Sequence, residues 1–307
     1  MLPFALVYHE GYDLNLGDHV FPSKKYRLIR ERLLGEGFAE ECDFVAPAPA
    51  PDEDLLLAHE PGWVERLSNG TLSYQEVLKL EVPYSRQMAE AFRLAAGGTT
   101  LAARRALDDG IGYNVGGGFH HAFPGHGEGF CALHDVAVAI RRLLEDGVIE
   151  RAAVVDCDVH QGNGTATIFA GDPRVLTLSI HQFRNYPAEK PPSTIDIHLA
   201  DGVGDEEYLK KLRDGCEAII AGFRPQLVAY VAGADPYYED QLGGLSLTLE
   251  GLRERDRMVM EIALKQRAAV AITLAGGYAL NLADTITIHA NTARAAKEVL
   301  DEVGWRV

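Results

Sequence analysis

The sequence contains no apolar stretch that approaches the roughly 20 residues of a membrane span. Its first residues, MLPFALVYHEGYD, hold only a short apolar run with no basic region before it. Such a start is typical of a first strand rather than of a signal peptide. We therefore expect a cytoplasmic protein that does not bind membranes.

Basic residues and cysteines are also scarce. The 29 Lys and Arg residues face 45 Asp and Glu residues, which gives a net charge of −16. Direct nucleic-acid binding needs a basic face and is not expected. The acidic excess is most simply explained by solubility, although it would also attract a basic peptide or a polyamine. The four cysteines are widely spread without CxxC spacing, so reduced thiols are expected.

What the sequence does have is a regular alternation of apolar runs and amphipathic stretches. Runs such as AAVVD, VLTLSI and LVAYVAG are continuous, which favours parallel strands covered on both faces. The predicted strands are Phe4–Tyr8, Ile111–Val115, Ala152–Asp156, Arg174–Ile180, Leu227–Gly233 and Ala268–Ala275. The predicted helices are Lys24–Leu34, Ser85–Asp108, Ala132–Leu144, Asp205–Ala221 and Leu249–Arg267. This order predicts an α/β fold with three α-β-α layers and a mostly parallel sheet.

Two proline-rich segments interrupt the alternation. Cys42–Leu55 is predicted to be an extended surface connection. His181–Val203 is predicted to be an irregular loop after a strand, where open α/β sheets build their sites. The part of the chain before the first segment is too short for a core of its own, so we expect one domain over residues 1–307.

The most informative motif is AAVVDCDVHQGNG, in which an apolar strand runs into Asp156, Asp158 and His160. Alternating side chains of an extended segment point to one side, so Asp158 and His160 can reach one cation. These carboxylates could instead cap the next helix. The metal interpretation is favoured because Asp-x-Asp-x-His is uncommon by chance.

A second motif, VGGGFHHAFPGHGEGFC, follows another predicted strand and contains adjacent His120 and His121. Paired loop histidines suit general acid–base catalysis. Such a pair alone is more often a surface loop, and the nearby metal motif is what favours catalysis. We expect His126 and Glu128 to be exposed loop residues.

Two further strand ends carry Asp235 and Tyr278. Asp235 offers a third ligand, and three protein ligands with an open position make a catalytic rather than a structural metal site. Tyr278 follows two glycines and can offer its phenol to a developing oxyanion, although such a tyrosine is usually a packed aromatic. The four strand ends together suffice for metal-assisted amide hydrolysis.

In this order the motifs GGGFHHA, GFC, DCDVHQGNG, GADP and GGY resemble the histone deacetylase superfamily, and they span nearly the whole chain. The resemblance implies the arginase–deacetylase fold in a single catalytic domain. HQGNG, HVFPSKKY at residues 19–26 and RNYP at 184–187 look most like the class IV branch and its bacterial relatives.

The resemblance implies a zinc ion and a structural potassium ion. The implied zinc ligands are Asp158, His160 and Asp235. Mixed carboxylate and imidazole ligands also suit ferrous iron. The implied potassium ligands are Asp156, Asp158, His160 and Ser179, with the carbonyl of Ile180.

The resemblance also assigns roles in catalysis. His121 would be the main general base and acid, with His120 as its electrostatic neighbour. Asp156 would orient His120, and Tyr278 would polarise the acyl carbonyl. Many class I members have His-Gly-Asp where this chain has Gln-Gly-Asn at 161–163, so Asn163 gives the second histidine an amide partner instead of a carboxylate.

An acyl-lysine tunnel is implied as well. Its lining would include Gly129, Phe130 and Tyr186, with Leu242 near the rim. Glu81 would match a rim acid that binds the substrate backbone. The expected substrate is an acyl-lysine protein or peptide.

Three alternatives remain open at this point. The same catalytic groups serve an acylated small amine such as an acetylpolyamine. A binding module for acyl-lysine without turnover is disfavoured by the intact Tyr278 and His121. A manganese ureohydrolase shares the fold but would need more carboxylate ligands. The sequence leaves the oligomeric state and the acyl-chain length open.

Overall fold

The computed structural model describes residues 1–305, which form one domain around an eight-stranded, fully parallel sheet. In chain order the strands are β1 (Leu6–Val7), β2 (Phe44–Val45), β3 (Ile111–Asn114), β4 (Ala152–Asp156), β5 (Val175–Gln182), β6 (Ile195–Leu199), β7 (Leu227–Val231) and β8 (Ala269–Thr273). Their spatial order is β2-β1-β3-β8-β7-β4-β5-β6. The prediction of a parallel α/β sheet is confirmed.

Helices cover the sheet in two groups. The α-helices are α1 (Lys25–Gly35), α2 (Asp52–Leu55), α3 (Pro61–Asn69), α4 (Tyr74–Leu80), α5 (Arg86–Asp109), α6 (Asp135–Glu145), α7 (Asn163–Ile168), α8 (Asp205–Cys216), α9 (Leu249–Lys265) and α10 (Leu282–Val303). Helices α5 and α6 pack together, and α5 contacts four strands; α10 packs against α1 and α9, and α9 against α8. Within the described chain, no helix combines the length and apolarity that a bilayer crossing demands.

All six predicted strands occur in the sheet, and every residue of β4, β7 and β8 is buried. Their continuous apolar runs follow from this, because neither face of the strand meets water. The first predicted strand is shorter than expected, since only Leu6–Val7 pairs. The predicted helix Asp205–Ala221 ends as α8 at Cys216 and continues as a π-helical turn over Glu217–Ala221.

Two expectations about irregular segments are corrected. Cys42–Leu55 contains β2 and α2, and its Ala50 and Leu55 are buried. His181–Val203 begins inside β5 and contains the edge strand β6. In both segments the prolines lie outside the paired residues, where no backbone N–H is needed for the sheet.

Side-chain hydrogen bonds fix the starts of the long helices. The side chains of Ser85, Thr248 and Asn281 accept a backbone N–H from the first turn of α5, α9 and α10. These are residue types that favour the N-cap position. Helix α5 ends at Asp109, and its C-cap residue Gly110 has a φ of 86°, which suits glycine.

A buried ion pair on α9 connects the helix to the ends of two strands. Arg255 contacts Asp256 at 2.8 Å, and both side chains are almost fully buried. Arg255 also donates to the carbonyls of Gly233 at 2.6 Å and Cys157 at 3.3 Å. These carbonyls belong to the segments that follow β7 and β4.

We expect Asp256→Ala to lower the free energy of unfolding by about 3–5 kcal/mol, because it leaves the Arg255 guanidinium buried without its carboxylate. Urea denaturation monitored by circular dichroism measures this change. Asp301→Ala is the matched control, since Asp301 pairs with Lys297 on the exposed face of α10 and its loss should cost far less. Equal small changes in both variants would contradict the prediction.

Candidate metal centre and active site

The sheet order brings the four segments that carry the candidate site residues to one edge of the sheet. Strands β3, β8, β7 and β4 are consecutive neighbours, and all run parallel. The carboxyl ends of parallel strands meet at the same edge, where open α/β sheets bind ligands. The segments after these strands carry the histidine pair, Tyr278, Asp235, and Asp158 with His160.

The three predicted metal ligands converge in the structure. One ligand atom each from Asp158, His160 and Asp235 lies within 4.8 Å of the others. His160 Nδ1 lies 3.0 Å from Asp158 Oδ1 and 3.4 Å from Asp235 Oδ2. Two carboxylates and an imidazole form a ligand set that binds zinc or ferrous iron.

The surroundings of these ligands fit a cation. Asp235 Oδ1 accepts the backbone N–H of Val159 at 2.9 Å. Asp235 Oδ2 is buried and has no hydrogen-bond partner among residues 1–305. A Cβ on Gly276 would lie 1.9 Å from that same oxygen, so only glycine allows the backbone to pass here. A buried carboxylate oxygen without a donor is costly, and a bound cation would satisfy it.

Electrostatics at the centre support this assignment. Burial, followed by the charge of Asp158, raises the pKa of Asp235. Burial lowers the pKa of His160, but the adjacent carboxylates of Asp158 and Asp235 outweigh it and raise that pKa to about 10. The two carboxylates therefore create a negative field at the ligand atoms.

The histidine pair is presented by a loop that a buried carboxylate organises. Asp135, at the start of α6, accepts the backbone N–H groups of Gly118 at 2.9 Å and Phe119 at 2.8 Å. Gly118 has a φ of 85°, and a Cβ there would lie 2.5 Å from the nitrogen of Ala275. The loop therefore packs directly against the segment that follows β8.

The two histidines have different partners and different proton affinities. His120 Nδ1 lies 2.7 Å from Asp156 Oδ2, and His121 Nδ1 lies 2.7 Å from Asn163 Oδ1. Burial lowers the pKa of His120, but the charges of Asp156 and Asp158 raise it to about 9. Burial, with the neighbouring His120 and His160, holds the pKa of His121 well below its usual value. This separation between the two pKa values favours a charged His120 and a neutral His121.

Tyr278 lines the same cavity as Asp158 and His160, on a loop that Asp240 fixes. Asp240 Oδ2 accepts the backbone N–H of Tyr278 at 2.7 Å. Its Oδ1 accepts those of Leu242 at 2.8 Å and Gly243 at 2.9 Å. The preceding Gly277 has a φ of 144°, which favours glycine. One carboxylate thus connects the tyrosine loop to the rim segment.

A cavity of about 240 Å³ leads to the candidate centre. Its lining includes the residues that the family resemblance places in the tunnel or at its rim: Gly129, Phe130, Tyr186, Leu242 and Glu81. Asp158, His160, both histidines of the pair and Tyr278 also line it. Glu81 has a φ of 60°, and its carbonyl lies 3.0 Å from His19 Nε2.

The expected potassium ligands lie around the end of β4. Asp156 pairs with Ser179 of β5 in the sheet register, and Ile180 follows. Ser179 Oγ lies 2.9 Å from His181 Nδ1. The potassium site stays a prediction.

The expectation that Glu128 is exposed is wrong. Only 7% of Glu128 is accessible, and its carboxylate contacts Asn163, Tyr186 and Lys79. Asp135 and Asp240, which hold the loops of the histidine pair and of Tyr278, were not predicted from the sequence. The sequence signal that could have found them is an acidic residue near a glycine-rich loop. Many exposed loops have the same pattern, so it does not single out these two residues.

The histone deacetylase domain family model matches residues 19–293 of the chain. An uncharacterized protein of Picosynechococcus sp. is 39% identical over 297 residues, which cover 96% of this chain and 99% of that protein. Histone deacetylase 2 of Arabidopsis thaliana is 31% identical over 287 residues, which cover 89% of this chain and 74% of the relative.

The solved structure of the HDA15 HD domain has the same architecture. It matches with a TM-score of 0.80 at 25% identity and covers 96% of this chain and 90% of that domain. The shared fold therefore includes nearly the whole chain.

Proposed function

We propose that this chain, which belongs to the histone deacetylase family, is a zinc-dependent hydrolase that removes acyl groups from lysine side chains of proteins or peptides. The observation that carries the proposal is that Asp158, His160, the histidine pair and Tyr278 line one cavity, with Asp235 close to the first two. An acyl-lysine side chain is long and thin, with its amide at the tip, and such a shape reaches the end of a tunnel.

The ion would bind Asp158, His160 and Asp235, and ferrous iron suits the same ligands. Once bound, it would supply Lewis-acid polarisation of the acyl carbonyl and a water of lowered pKa. We further propose a structural potassium ion at Asp156, Asp158, His160 and Ser179, with the carbonyl of Ile180.

The proposed proton transfers use the histidine pair. His121 is held neutral, so its Nε2 would accept a proton from the attacking water. The carbonyl carbon would gain a bond to the water oxygen and lose its bond to the lysine nitrogen. That nitrogen would take a proton from His121 as it leaves, so the first products are an amine and a carboxylic acid. Transfer of the acid proton to the amine then gives an ammonium group and a carboxylate. His120 would stay charged beside Asp156 and stabilise the developing negative charge.

An acylated small amine is the second candidate substrate. The observation that favours it is the Glu81 carboxylate at the cavity lining, combined with a net charge of −16. A carboxylate at that position would attract a polyamine, but it would equally bind the backbone N–H groups of a peptide.

A substrate panel separates these candidates. We expect zinc-loaded protein to hydrolyse acetyl-lysine peptides with a kcat/KM at least about tenfold above that for acetylated polyamines, a difference of about 1.4 kcal/mol in transition-state binding. A hydroxamate, which chelates the ion, should inhibit both reactions. Preference for the polyamine would favour the second candidate. Peptide binding without any turnover would show a binding module instead.

A further inference from the structure

The general base proposed above lacks a carboxylate partner of its own. His121 Nδ1 contacts the amide oxygen of Asn163 at 2.7 Å, whereas His120 contacts the carboxylate of Asp156. An amide presents either an acceptor or a donor to a neighbour, depending on which way it is turned. The protonated nitrogen of a neutral imidazole is set by the hydrogen bond that the ring makes. The orientation of Asn163 therefore decides which nitrogen of His121 is free to accept a proton.

Glu128 lies directly behind Asn163 and is surrounded by donors. Its Oε1 accepts Asn163 Nδ2 at 2.6 Å and the Tyr186 hydroxyl at 3.0 Å. Its Oε2 contacts Lys79 Nζ at 2.9 Å and His126 Nε2 at 3.1 Å. Burial raises the pKa of Glu128, but these four hydrogen bonds outweigh it and lower the pKa to about 2. Glu128 is therefore an ionised and buried carboxylate.

These contacts leave Asn163 a single orientation. Its Oδ1 accepts the backbone N–H of Gly164 at 3.0 Å, and that group can only donate. Its Nδ2 faces the Glu128 carboxylate, which can only accept. The same Oδ1 faces His121, so Nδ1 of the neutral ring must carry the proton. The lone pair then lies on Nε2, at the opposite side of the ring.

We propose that Glu128 is a positioning residue that acts through Asn163 to fix the catalytic tautomer of His121. This inference rests on the proposed role of His121 as the general base. We call Glu128, Asn163 and His121 the relay. Its negative charge is on Glu128, one side chain further from the imidazole than a carboxylate that contacted His121 directly would be. It polarises the amide, which makes Oδ1 a stronger acceptor for the imidazole N–H.

The relay also reaches the wall of the cavity. Tyr186 donates to the same Glu128 oxygen as Asn163 and meets the ring of His121 edge to face, at 4.9 Å between centroids. Glu128 therefore holds both the partner of the base and the aromatic residue that packs against it. On the outer side Lys79, which is half-exposed, neutralises the buried charge.

Exchanging the amide and the carboxylate tests the relay. Asn163→Asp alone places two carboxylates in contact, and Glu128→Gln alone removes the charge. We expect each to lower kcat about 10- to 100-fold, the usual effect of losing a residue that orients a catalytic group. In the double variant the glutamine amide donates to the aspartate, so kcat should recover at least tenfold over Asn163→Asp. KM should change little throughout. Glu189→Gln, in an exposed part of the neighbouring cleft, is the matched control.

The tautomer is read directly by 15N NMR of histidine-labelled, zinc-loaded protein, with His121 assigned by comparison with His121→Asn. We expect the Nδ1–H form in the wild type and a mixture of both forms in Glu128→Gln. A wild-type Nε2–H form, or a double variant no better than Asn163→Asp, would overturn the relay. The wild-type spectrum needs no turnover. It therefore separates failure of the relay from failure of the proposed hydrolase activity.

Discussion

Asp235→Asn should release the bound ion and lower hydrolysis at least about a thousand-fold, because the ion is expected to provide several kcal/mol of transition-state stabilisation. The substitution keeps an oxygen for the backbone N–H of Val159 and removes only the charge beside Asp158. Elemental analysis and turnover of the same preparation measure both effects.

The fold should survive this change. Asp158 and Asp235 are two buried carboxylates in mutual repulsion, so neutralising one of them removes an unfavourable contact from the ion-free protein. Asp214→Asn, on the exposed surface of α8, is the matched control and should keep both ion and activity. An Asp235→Asn variant that retains the ion and normal turnover would remove Asp235 from the metal site.

Tyr278→Phe should lower kcat about a hundred- to thousand-fold, or roughly 3–4 kcal/mol, and leave substrate affinity nearly unchanged. When water attacks the amide, the carbonyl oxygen gains negative charge, and a preplaced hydroxyl stabilises that charge more than the neutral substrate. The ring is kept, so its edge-to-face contact with Phe130 at 6.0 Å between centroids should persist.

This prediction requires kcat and a direct dissociation constant for the same substrate. A fall in kcat with unchanged affinity is the pattern of an interaction made mainly in the transition state. Tyr238→Phe serves as the control, because Tyr238 is exposed outside the cavity lining. Near-normal kcat in Tyr278→Phe would exclude its hydroxyl from the reaction.

The central sheet and the ligand positions could be predicted because their signals are local in the sequence. The run into Asp158 and His160 shows both a buried strand and the alternation of side chains that follows it. Because the carboxyl ends of parallel strands meet at one edge, Asp235 can be placed at that edge even when the loop conformations are unknown. The tunnel residues required the family resemblance, since nothing in the sequence around Tyr186 or Leu242 predicts a cavity.

The missed features depend on contacts between distant segments. Glu128 is buried because Lys79, Asn163 and Tyr186, from three other parts of the chain, donate to it. Neither the composition nor the spacing of residues in the sequence predicts these contacts. Helix α10 is not among the helices named from the sequence.

Metal-dependent hydrolysis is tested most directly by a metal titration of the wild-type protein with an acetyl-lysine peptide as substrate. Ion-stripped protein is reloaded with known amounts of zinc or, without oxygen, ferrous iron, and bound metal and turnover are measured together. We expect turnover to rise in proportion to bound ion and to reach its maximum at one catalytic ion per chain. Full turnover in protein shown to be metal-free would contradict it.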